Sequence, residues 1–312
     1  MMENENNIRE LYSLRIKNAI NDSFYAENIS WEGKIRTLRT YAEIIVRFIL
    51  NKPKEYLILS RKEKELRQIS DDNELLMNSF STILEYGNES VHTEKLANAT
   101  KEDFNEVLDA IYGMYAYLFI NYFEKYGCKY NRVLTMFSLL PPIIRYKTFG
   151  FLWEKDKSNP VLIDKLNLAN LKTYGYEYAN NWIENNKTLL KYVPRTSEEC
   201  VEKLNEMPGV LSYEILPSGC QNMYEVCVSK VNSLSAPIEK YGPLYETYEE
   251  AASFYKTKMN DLEMEKTFSK EEIKLKEIMD FCYEGRKNEP NNKNPAIYCL
   301  SELRVISRGI NE

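Results

Sequence analysis

Apolar residues recur at helical spacing through residues 7–127, and that period constrains the fold before composition is consulted. Leu11, Leu14, Ile16 and Ile20 mark a first helix. Leu38, Tyr41, Ala42, Ile45, Val46 and Ile49 follow the i, i+3, i+4, i+7 pattern. They predict a second helix from about Trp31 to Leu50, ended by Pro53. A charged helix is expected near Lys54–Ile69, and another over Asn73–Tyr86, capped by Asp71 or Asp72 and interrupted at Gly87. Thr100 and Asp103 are spaced like a capping box, with an acid one methylene shorter than the usual Glu. They open a long apolar helix running to Lys125 and stopped by Gly127.

Residues 128–192 also read as helical, broken by Pro141-Pro142, with one long amphipathic segment from Val161 to Leu190. The pattern changes at Pro194. A short helix is expected over Thr196–Glu206. Val210–Leu216 and Met223–Val231 then alternate apolar and polar residues around Pro217-Ser218-Gly219, which predicts a β-hairpin. Two more helices are expected, from Thr247 to Met264 and from Ser269 to Phe281. Gly285–Pro295 reads as a polar loop, and Ala296–Ile306 fits helix or strand equally well. The expected fold class is mainly α in three parts. These are an N-terminal helical bundle (1–127), a basic aromatic-rich helical region (128–192) and a small α+β C-terminal domain (193–312).

Composition sets limits on function. The chain of 312 residues is 44% hydrophobic and carries a net charge of −6. It can therefore bury a core. No apolar run approaches the ~20 residues of a membrane span, and Met1–Glu10 lacks the layout of a signal peptide. The six cysteines form no Cys-x-x-Cys pair, and there is one histidine. A Cys/His metal site is not expected, and reduced thiols in a cytoplasmic protein are. Residues 128–192 alone are basic, at +5, against −5 before them and −6 after. They also hold Tyr130, Tyr146, Trp153, Tyr174, Tyr176, Tyr178, Trp182 and Tyr192. Basic charge with interleaved aromatics suits nucleic acid. It suits equally an acidic domain of this chain or of a partner. The helical spacing of most of these rings places them in a core.

The single histidine, His92, ends the run Gly87-Asn88-Glu89-Ser90-Val91-His92 between two apolar helices. The earlier helix contains Arg39-Thr40-Tyr41-Ala42-Glu43. Over residues 8–126 this arrangement resembles the HEPN superfamily, in particular the branch with a Gly-Asn-x-x-x-His signature after an Arg-x-x-x-Glu helix. The resemblance implies a small helical bundle that dimerises. It also implies a setting in bacteria–phage conflict: a defence component, a toxin–antitoxin partner, or a phage protein that blocks a host complex. Family members include metal-independent endoribonucleases. In these the histidine acts as general acid or base, and an arginine four to six intervening residues upstream stabilises the phosphate. Here those positions hold Glu85, Tyr86 and Gly87. The nuclease reading would use His92, Asn88, Arg39 and Glu43, with Arg36 or Arg39 replacing the family arginine. The same four residues could instead form a buried polar network that fixes helix packing, or a non-catalytic nucleotide or RNA pocket.

No phosphate-binding loop and no nucleophile elbow occur. Asp71-Asp72 and Glu249-Glu250 sit where helix starts favour negative charge. The expected function is a non-catalytic interaction protein, a homo-oligomer of at least a dimer, binding a protein partner without cofactor or metal in the cytoplasm. An acidic protein of this kind can occupy a nucleic-acid-binding surface on its target. The alternatives are a ribonuclease using His92 and a nucleic-acid binder using residues 128–192. The first predicts metal-free RNA cleavage lost on His92→Ala. The second predicts binding that weakens steeply with salt.

Overall fold

The computed structural model describes residues 6–89, 99–127, 131–195, 220–241 and 247–286. Among these residues the protein is built of helices, and the one β-type contact is an isolated bridge between Pro194 and Asn222. The chain divides into two compact units. The first comprises residues 1–121 and 277–287, the second residues 122–276 and 288–312.

The first unit contains α1 (Asn6–Ile20), α2 (Trp31–Leu50), α3 (Glu63–Ile69), α4 (Glu74–Glu89) and most of α5 (Lys101–Tyr126). Helix α2 has the predicted bounds because both ends are capped. The Ser30 hydroxyl accepts from the Gly33 amide, and Asn51 takes the left-handed conformation at φ 51°. Helix α5 opens on the predicted Thr100–Asp103 box. The Asp103 amide donates to Thr100 Oγ1 at 3.2 Å, and the Thr100 amide donates to Asp103 Oδ2 at 2.7 Å. These bonds hold the Asp103 carboxyl below its ordinary range. The core of the unit is mainly apolar and includes a buried hydroxyl pair, Tyr41 OH bonded to Tyr115 OH. Phe281 lies edge-on to Tyr115 and stacks on Phe48, with ring centroids 4.5 Å apart.

Three expectations for this unit need correction. The charged stretch 54–69 is α-helical only from Glu63, after a single 3-10 turn over Leu59–Arg61. Before it, Lys52, Glu55, Lys62 and Glu65 form a four-membered ion-pair network around a loop. The Arg47 side chain donates to the Glu55 carbonyl, and Tyr12 OH donates to that of Pro53, so side chains rather than helix satisfy this backbone. The cap of α4 is Asn73, whose side chain accepts from the Leu76 amide at 3.1 Å. Asp71 and Asp72 take left-handed conformations in the turn before it. Gly87 does not interrupt α4, which runs on to Glu89.

The second unit contains α6 (Asn131–Phe137), α7 (Pro142–Lys155), α8 (Pro160–Tyr174), α9 (Tyr176–Asn185), α10 (Lys187–Tyr192), α11 (Met223–Tyr241), α12 (Tyr248–Glu265) and most of α13 (Lys270–Tyr283). The predicted single segment 161–190 is three helices. Gly175, at φ 88°, turns the chain sharply between α8 and α9. Helix α12 carries a complete capping box of Thr247 and Glu250. Arg132 closes the far end of α12 by donating to the carbonyls of Leu262 and Lys266.

The second strand of the expected hairpin is a helix. Met223, Val226, Cys227 and Val231 are all buried, a spacing that fits one face of α11 better than alternation does. The Asn222 side chain caps it by accepting from the Glu225 amide at 3.1 Å. No strand occurs among the described residues. The other hairpin strand (Val210–Leu216), the helix Thr196–Glu206 and the segment Ala296–Ile306 lie outside them.

Gly285 generates a stability prediction. It sits at φ 79°, and a Cβ there would come within 3.2 Å of the Lys17 backbone and 3.2 Å of the Ile16 side chain on α1. Gly285→Ala is expected to destabilise the protein by about 2 kcal/mol through left-handed strain and overpacking. Urea denaturation measures it; a midpoint equal to that of wild type would contradict the argument.

Candidate functional site

Of the residues singled out in the sequence, the structure brings Arg39 and Glu43 into electrostatic contact on α2. Glu43 is half-buried. Burial pushes its carboxyl up from the ordinary 4.5, while Arg39, Arg47 and Arg15 pull it down. Arg15 and Arg47 were not legible as members of this cluster. Arg15 lies on α1, and the two guanidinium groups flank the Tyr12 ring at 5.9 and 5.4 Å. Arg36 is held at the surface by Glu32 at 2.5 Å. Asn88 lies in the last turn of α4, and His92 lies outside the described residues.

Of the three positions 85–87 singled out in the sequence, the middle one is a phenol facing acid. Tyr86 OH donates to Glu106 Oε2 at 2.6 Å and to Asp103 Oδ1 at 3.4 Å. The Glu106 bond pushes the Tyr86 hydroxyl well above its ordinary value. A phosphate approaching Tyr86 would meet these two carboxylates, with Glu85 exposed beside it.

The second unit holds a different concentration of polar side chains. Every residue from Leu162 to Leu171 on α8 is buried, including Asp164, Lys165, Asn167 and Asn170. Asp164 Oδ1 accepts from Lys230 Nζ of α11 at 2.6 Å, and Lys165 Nζ lies 3.6 Å from Asp164 Oδ2. Asn167 Nδ2 donates to the Cys227 carbonyl at 3.3 Å. Burial, aided by the Asp164 charge, pushes the Cys227 thiol well above its ordinary value, which makes it an inert core residue. Neither side-chain polar atom of Asn170 has a hydrogen-bond partner, nor does Arg145 Nε on α7. Buried polar atoms of this kind are few in folded proteins and each calls for a physical reason.

The aromatic residues of the basic segment divide into two sets. Trp153 is buried and lies against Trp182, with centroids 5.4 Å apart. Tyr174, Tyr176 and Tyr178 are 40–47% exposed and Tyr192 is 84% exposed, so the expectation of core packing fails for these four. Tyr174, Tyr176 and Tyr178 flank the turn at Gly175, which rotates the chain as α8 gives way to α9, and Tyr192 is the last residue of α10. Tyr146, Tyr174 and Tyr178 form a ring cluster with centroids 4.4–6.4 Å apart. Tyr146 OH and Tyr178 OH are 3.1 Å apart, and Tyr176 OH donates to Asn232. The rings are thus exposed and already fixed by one another.

Among the described residues there is no group of three or more His, Cys, Asp or Glu side chains able to hold a metal ion. No described helix is long and apolar enough to cross a membrane.

Two predictions follow from the buried groups. The folded-state pKa of Glu43 is raised, so folding favours its protonated form. Its contribution to stability is most favourable at low pH and is lost as pH rises from the unfolded value of 4.5 through the folded one. Glu43→Gln should remove that loss, so that melting temperature becomes flatter between acid and neutral pH. An unchanged profile would refute it. Asp164→Asn leaves Lys230 buried without its counter-charge and should cost about 3–5 kcal/mol, whereas replacing both residues by Leu and Met should cost far less. Denaturation of the two variants side by side checks the difference.

No family model, no curated protein and no solved structure matches this chain.

Proposed function

We propose that the protein is a non-catalytic interaction protein that binds a protein partner as a homo-oligomer, and that the tyrosine cluster at the α8–α9 turn is its contact surface. The exposed rings of Tyr174 and Tyr178, fixed against each other and against the half-buried Tyr146, carry this reading. Tyrosine offers a large amphipathic area at low entropic cost, and rings already held in place lose less freedom on binding. The basic charge of residues 128–192 favours a partner with an acidic face.

The HEPN resemblance over residues 8–126 supports a setting in bacteria–phage conflict, as an inhibitor of a host complex or as a defence or antitoxin component. The carboxylates around Tyr86 support a degenerate rather than a phosphate-binding site. His92, Asn88, Arg39 and Glu43 are then structural residues.

The double variant Tyr174→Ser/Tyr178→Ser is expected to stay folded and to lose self-association at micromolar concentration, measured by sedimentation velocity beside wild type. Equal association by the two would remove the tyrosine surface from the reading. A metal-free RNA cleavage assay on wild type and His92→Ala tests the remainder. Cleavage by wild type alone would replace this reading with the ribonuclease. RNA binding that falls steeply with salt would replace it with the nucleic-acid binder.

A further inference from the structure

Helix α11 changes character partway along. Up to Val231 it is anchored: Met223, Val226, Cys227, Lys230 and Val231 are buried, and Lys230 reaches Asp164 on α8. From Asn232 to Pro237 every side chain is half-buried or exposed, and Lys240 is exposed. Pro237 lies inside this outer half. A proline there has no amide to give the Ser233 carbonyl, and its ring crowds that carbonyl. Ser233 Oγ donates to the Lys230 carbonyl at 3.0 Å, and Ser235 Oγ to the Asn232 carbonyl at 3.2 Å. Hydroxyls that bond to the backbone of their own helix offer it partners outside the helical ladder. The outer half thus combines a missing ladder bond, competing hydroxyls and little burial. Those are the features of a segment that opens on its own.

The junction between the two halves touches the tyrosine surface. Asn232 Oδ1 accepts from Tyr176 OH at 3.1 Å. Tyr176 begins α9, between Tyr174 and Tyr178 in the chain. While the outer half is helical, the Ser235 hydroxyl and the turn that follows hold Asn232 in place. When that half opens, Asn232 becomes the last residue of the helix, and Tyr176 loses a fixed partner. A freed tyrosine must be ordered again on binding, at an entropic cost.

We propose that residues 233–241 form a tip that opens as a unit about Ser233, and that its closure, transmitted through Asn232 and Tyr176, favours docking at the tyrosine surface. The proposal rests on that surface being the contact between copies of this chain, as argued above. Linkage makes the effect reciprocal, so docking closes the tip as much as closure aids docking.

Amide hydrogen exchange of the full chain tests the tip. Amides of residues 235–241 should exchange about 100-fold faster than those of residues 226–231. They should slow as protein concentration rises into the range where copies associate. Pro237→Ala restores the missing bond. It should slow exchange of the tip by about tenfold or more. In sedimentation velocity it should tighten self-association about threefold. Adding Tyr176→Phe, which removes the hydroxyl, should abolish that tightening. Equal protection along the whole of α11 in wild type would overturn the tip. A fast-exchanging tip whose closure by Pro237→Ala leaves association unchanged would overturn the coupling and leave the contact surface standing. Wild type that stays monomeric while its tip exchanges fast would overturn the coupling together with the surface it rests on.

Discussion

Asp164 and Lys230 set the terms on which the second unit can exist. Helix α8 is buried on every face from Leu162 to Leu171, and four residues in that stretch are polar. A helix so placed must satisfy its side chains inside the protein, because no face is left to water. The 2.6 Å bond from Lys230 to Asp164 does this for one charge and fixes α11 against α8. The Asn167 amide adds a bond to the Cys227 carbonyl of the same helix. Both contacts bind α8 to α11 in a single register, whereas apolar packing alone tolerates sliding. The apolar residues of α11 supply the burial, and the ion pair fixes the alignment.

The first unit solves the same problem with fewer charges. A deeply buried polar contact of its core, Tyr41 with Tyr115, is neutral and self-satisfying. Burial raises the Tyr41 hydroxyl far beyond any pH at which it could ionise, so the pair stays neutral. Charges gather instead at the rim of α2, where Glu43 is surrounded by Arg15, Arg39 and Arg47. That rim contains the Arg-x-x-x-Glu pattern read in the sequence, and Arg15 and Arg47 join the pair there.

Much of the fold was legible where the signal is local. Thr100, Thr247 and Ser269 all accept a first-turn amide at the helix starts expected of them, and Ser30 does the same at the start of α2. Such caps need only the next three residues, so sequence carries them whole. The failures came where distant residues decide. Met223–Val231 reads as alternating, yet its buried set is helical, because the unit offers it the face of α8 rather than a neighbouring strand. The loop at 52–58 resists helix because Arg47 and Tyr12, from other elements, take its carbonyls. Tyr174, Tyr176 and Tyr178 were misread because a single glycine at 175 breaks the helical period that assigned them to the core. In the candidate sites, the Arg39–Glu43 pair was visible as i, i+4 spacing. Arg145 was not, since nothing in Ile144-Arg145-Tyr146 tells a buried guanidinium from a surface one.

Lys230 and Arg145 are two cations in one interior with opposite circumstances. Lys230 faces a carboxylate supplied by the chain itself, so its burial is compensated as the unit folds. Arg145 faces a cavity lined largely by aromatic and aliphatic groups. The tyrosines outside this interior have a related character, being exposed but already ordered against each other.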